Sequence, residues 1–86
     1  MQDLNDLYYF SQVVEQGGFS AAARALDVPK SRLSRRISHL EESLGVRLLQ
    51  RTTRRLRLTS AGERYLHYCR EMAASAPAAD DAIRQL

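Results

Sequence analysis

The sequence predicts a mainly α-helical domain: a three-helix core, a two-stranded hairpin and one long C-terminal helix. Three observations lead there. Leu33, Ile37, Leu40 and Leu44 recur at steps of four, three and four, which places them on one side of a helix. Further on, Leu56 and Leu58 alternate with Arg55 and Arg57, as a half-exposed strand would. From Tyr65 a second stripe at helical spacing runs to the end of the chain.

Each element has its own start and stop signals. Asp3 can cap a first helix that carries Leu4, Leu7, Tyr8 and Val14 inward and ends at Gly17-Gly18. Ser20 is placed to cap a second, short helix, whose Ala22, Ala23 and Leu26 let a neighbour approach closely. Asp27-Val28-Pro29 breaks it, and Pro29 suits the first turn of a third helix, where a missing N–H costs nothing. That helix runs to Leu44, with Gly45 in the left-handed cap position. Leu48 and Leu49 lead into a strand ending near Arg51, and Thr52-Thr53-Arg54-Arg55 forms a basic tip before the partner strand. Thr59 or Ser60 opens the last helix, and Ser60 with Glu63 matches a capping box. The division follows: a domain over 1–58 and a linking helix over 59–86.

The last helix carries a seam of Tyr65, Cys69, Met72, Ala76, Ala79, Ile83 and Leu86 in alternating steps of four and three. Such a seam predicts pairing with a second helix, and so a dimer. Pro77 lies inside it and predicts a kink. The seam is still running at Leu86, so a longer parent chain is expected.

The 86 residues fit one domain. No apolar run is long enough for a membrane span, and the N-terminus, with Asp3 and Asp6, does not read as a signal peptide. Cys69 is the only cysteine, which excludes an intrachain disulfide and suits a reducing, cytoplasmic setting. Net charge is +3, but residues 24–57 hold ten basic side chains and three acidic ones, leaving the remainder net acidic. A concentrated positive field on an acidic body points to a polyanionic partner at one surface.

The third helix adds direction to that field. Lys30, Ser31, Ser34, Arg35 and Ser38, with Arg32 beside them, occupy faces away from the leucine stripe. Arginine can hold guanine O6 and N7 together, and serines let the backbone approach the groove floor. Two short helices joined by a tight turn, followed by a basic hairpin, are the parts of a winged helix-turn-helix.

Three motifs carry a family resemblance over about residues 4–65. Phe19-Ser20-x-Ala22-Ala23-x-x-Leu26 resembles the second helix of the LysR-type transcriptional regulators. Ser34-Arg35-x-Ile37-x-x-Leu40-Glu41-x-x-Leu44-Gly45-x-x-Leu48-Leu49-x-Arg51 resembles their recognition helix and entry to the wing. Leu58-Thr59-x-Ala61-Gly62 resembles the start of their linker helix. The resemblance implies base or adjacent phosphate contacts at Lys30, Ser31, Ser34 and Arg35, and a minor-groove contact at Arg54 on the wing tip. It also implies a backbone contact at Arg51 and a phosphate at the helix start near Ser20. A cytoplasmic homodimer through the linker helix is implied too. A small-molecule effector is implied only through a C-terminal domain outside these residues. Pro29 and Lys30 depart from the Ser or Thr and Gln frequent in the family, and Lys30 favours phosphate or guanine over adenine.

Other chemistry is not expected. His39 and His67 have no second ligand at metal spacing, and Ser11 and Ser34 lack a base partner. No paired carboxylates or phosphate-cradling glycine loop occurs, so neither an enzyme nor a cofactor site is predicted. Cys69 reads as a small buried hydrophobe. A helical interaction module with an incidental basic face is the rival from another class.

Overall fold

The computed structural model describes residues 1–51 and 55–86. Its elements are α1 (Leu4–Gln16), α2 (Phe19–Leu26), α3 (Lys30–Leu44), β1 (Leu49–Gln50), β2 (Arg57–Leu58) and α4 (Ser60–Arg84). This is the mainly helical winged helix-turn-helix that the sequence predicts. The strands pair antiparallel, Leu49 opposite Leu58 and Gln50 opposite Arg57.

Asp3 caps α1 by accepting from the Asn5 amide at 2.8 Å. Gly17 ends the helix at φ +83°, a left-handed position that glycine takes without a Cβ penalty. The inward face of α1 is Phe10 and Val13, both fully buried, with Leu7 and Val14 packed beside them. Leu4 and Tyr8, expected inside, are 49% and 40% exposed. The buried carboxylate of Asp6 shares the inward face with Phe10, one turn away, and that rotation turns Leu4 and Tyr8 outward.

Chain reversal after α1 also moves the start of α2. The Gly18 amide donates back to the Val13 carbonyl at 3.0 Å, and the Gly18 carbonyl accepts from Ala22 at 3.1 Å. Gly18 is therefore the cap, without a side-chain bond, and Ser20 lies inside the helix. Ala22 and Ala23 are buried against the neighbouring helices. Pro29 likewise sits one position earlier than expected: it flanks α3 and its carbonyl accepts from Leu33 at 3.1 Å. Leu33, Ile37 and Leu40 are fully buried, and Gly45 closes the helix at φ +71°.

Thr59, not Ser60, caps α4. Its hydroxyl accepts from the Gly62 amide at 3.0 Å and donates to the Arg47 carbonyl at 2.6 Å. Its amide donates to the Leu48 carbonyl at 3.0 Å. The cap is thus bonded into the approach to β1, an attachment that Ser60 has no means to make from one residue further on.

The first half of α4 belongs to the chain's own core. Leu66 and Cys69 are buried there, and the Tyr65 ring stands 6.0 Å from that of Phe10. Of the two seam residues in this half, Cys69 is therefore enclosed by the protomer's own core, whereas Tyr65 is half-buried and packs against α1 through Phe10. Burial pushes the Cys69 thiol up to about 11. Beyond Met72, which is half-buried, Ala76, Ala79 and Ile83 are exposed. Helix α4 continues through Pro77, among exposed residues where water can take the carbonyl left without an N–H.

Gly62 marks the tightest approach of α4 to the sheet. A Cβ there would overlap the Leu48 carbonyl oxygen and meet Leu58 Cδ2 at 3.2 Å. Gly62→Ala is expected to destabilise the fold by about 1–3 kcal/mol, read as a lower urea midpoint with an unchanged slope.

Candidate nucleic-acid interface

Helix α3 presents its polar side to solvent because its apolar side is fully occupied. Lys30, Ser31, Arg32 and Arg35 are exposed, and Ser34 and Ser38 are half-buried. Arg35 has no ion-pair partner among the described residues; Glu41, six residues on in the same helix, does not share its face and is engaged elsewhere.

Carboxylates hold both flanks of α3. On the α1 side, Arg36 Nε donates to Asp6 at 2.6 Å and its amino nitrogen to Asp3 at 2.9 Å. The Asn5 amide and then the Arg36 guanidinium lower the Asp3 pKa, and Asp3 and Asp6 raise that of Arg36. On the wing side, Glu41 is 5% exposed. Its Oε2 accepts from the Leu48 and Leu49 amides at 2.8 and 3.1 Å. Its Oε1 accepts from Arg51 at 3.0 Å, with Arg47 at 3.9 Å. Rotation of α3 about its axis would break one set or the other.

A cleft between the start of α2, the first half of α3 and the base of the wing is lined by Ser20, Arg24, Lys30, Ser34, Arg51 and Arg55. Five of these were predicted as contacts from sequence, and the fold brings them together. Arg24 was missed as a site residue, although it lies one helical turn after Ser20 and so on the same side of α2. Ser31, Arg32 and Arg35 lie outside the cleft on the exposed side of α3, and Ser38 borders Glu41 on the other side of Arg51. Thr53 and Arg54, predicted at the wing tip, lie outside the described residues. Among the described residues no group of three His, Cys, Asp or Glu side chains could hold a metal ion, and no helix is long and apolar enough to cross a membrane.

Fold and site together define a winged helix-turn-helix domain of the DNA-binding type. Residues 4–63 match the model of the bacterial regulatory helix-turn-helix proteins of the lysR family, and the chain belongs to that family. An HTH-type transcriptional regulator of Xanthomonas campestris pv. campestris is 50% identical over 84 residues, 98% of this chain and 24% of the relative. The iron-regulated virulence regulatory protein IrgB of Vibrio cholerae is 42% identical over 86 residues, 100% of this chain and 29% of the relative. Among solved structures, the BenM DNA-binding domain in complex with catB site 1 DNA superposes with a TM-score of 0.92 at 32% identity, over 98% of this chain and 93% of that one. The chain spans about a quarter of the length of these two relatives.

The Asp3–Arg36 pair has a defined pH dependence. Because the Asp3 pKa is lowered on folding, its contribution is present above the ordinary carboxylate value and lost as pH falls through the folded value. Asp3→Asn is therefore expected to be less stable than the wild type near neutrality. The gap between their urea midpoints should close toward pH 2.

Proposed function

We propose that this chain binds duplex DNA in a sequence-specific way for transcriptional control, as a homodimer on an interrupted palindrome. The observation that carries this reading is the exposed side of α3, bearing Lys30, Ser31, Arg32 and Arg35 beside a cleft that adds Ser20, Arg24 and Arg55. The helix enters the major groove, where Arg35 and the serines Ser31, Ser34 and Ser38 read base edges and Lys30 meets phosphate or guanine. The wing, with Thr53, Arg54 and Arg55, lies against the flanking minor groove, whose narrow A·T tracts attract arginine. The BenM domain, at 32% identity, is seen bound to DNA, which supports the reading.

Dimerisation runs through the second half of α4, where Met72, Ala76, Ala79 and Ile83 continue the apolar seam outside the protomer core. Its alanines permit close helix approach. Half-sites about one helical turn apart, near ~34 Å, would then face both recognition helices. Any response to a small-molecule effector is assigned to a region of a longer chain outside these residues.

Selection from a random duplex library tests the reading as a whole. Recovery of an interrupted palindrome with that spacing is the expected result, and recovery of no preferred sequence would sink it. Against the selected site, Arg35→Ala should cost about 1–3 kcal/mol and relax preference at one base position per half-site.

A further inference from the structure

Arg51 lies just after β1, yet its guanidinium is bonded to two other elements. One amino nitrogen donates to Glu41 Oε1 at 3.0 Å and the other to Ser38 Oγ at 3.0 Å. The guanidinium carbon stands 5.3 Å from the centre of the Phe19 ring, at the start of α2, within cation–π range. The side chain is 28% exposed, against 72% for that of Arg47. A phosphate anchor presents its fork to solvent. Here both amino nitrogens of the fork are engaged, one by a buried carboxylate and one by a hydroxyl, with an aromatic ring over the guanidinium.

The Ser38 bond has a consequence for readout. Its oxygen accepts from Arg51, so its own O–H is left to donate outward, toward a phosphate oxygen or an acceptor on a base edge. Glu41 ties the same guanidinium to the Leu48 and Leu49 amides that open the wing.

We propose that Arg51 is a positioning residue for DNA recognition: held by Glu41, Ser38 and Phe19, it sets the wing against α3 and orients the Ser38 hydroxyl, without a phosphate contact of its own. This replaces the backbone contact implied by the family resemblance, and it rests on the DNA-binding reading above. Lysine separates the alternatives, because it keeps the charge but lacks the planar fork that bridges Ser38 and Glu41.

The test compares the wild type, Arg51→Ala, Arg51→Lys and Lys30→Ala on a duplex selected by the wild type and on random duplex, across a range of salt. Both Arg51 variants should lose roughly tenfold in the ratio of selected to random affinity. Their salt slopes on random duplex should stay within about half a unit of the wild type, whereas Lys30→Ala should lower the slope by about one. The proposal is overturned if Arg51→Lys binds both duplexes like the wild type. It is equally overturned if Arg51→Ala weakens both alike while its slope falls by about one. Should circular dichroism show Arg51→Ala unfolded, the lysine variant alone decides. A wild-type chain that binds neither duplex overturns the DNA-binding reading itself, an outcome separate from rescue by lysine.

Discussion

The Glu41 carboxylate is the contact on which the placement of the wing depends. Burying a carboxylate costs several kcal/mol unless its lone pairs are met. Here two backbone amides and one guanidinium meet them within 3.1 Å. Those donors come from the segment that enters β1 and from Arg51 just after it. A hairpin of two residues per strand has too few ladder bonds to orient itself. The buried anion supplies the orientation, and the same anion draws Arg51 inward toward Ser38.

Helix α3 is thereby gripped from both sides, since Asp3 and Asp6 hold Arg36 on the opposite flank. The two grips divide the basic stretch into structural and outward-facing charges. Arg36 and Arg51 serve the fold, whereas Lys30, Arg32 and Arg35 stay exposed and without an ion pair among the described residues. A count of arginines over residues 24–57 therefore overstates the field offered to a polyanion. Thr59 and Gly62 extend the same logic to α4, which docks on the carbonyls of Arg47 and Leu48 on the approach to β1. Helix α3, the wing and α4 thus meet within a few residues of Leu48.

Much of this was legible in the sequence. The stripe from Leu33 to Leu40 faces the core, Gly45 takes the left-handed position, and the alternation around Leu56 and Leu58 marks the second strand. What escaped was the work of side chains whose partners are backbone groups. No spacing rule links Glu41 to the amides of Leu48 and Leu49, because an amide carries no residue identity. The partner of Asp6 escaped because Arg36 lies thirty residues away in the chain. The seam on α4 left its partner open. Steps of four and three report an apolar face but not what packs on it: Cys69 lies in the protomer's own core, and half-buried Tyr65 meets Phe10 of α1. The Ser20 cap failed because the double glycine let α2 begin one residue before that serine.

Hydrogen exchange at the Leu48 and Leu49 amides, compared between the wild type and Glu41→Gln, tests the role of this carboxylate most directly. If Glu41 anchors the wing, exchange at these two amides should quicken by about tenfold or more in the variant, while the core amides of α1 keep their protection. Unchanged protection at Leu48 and Leu49 would contradict the account.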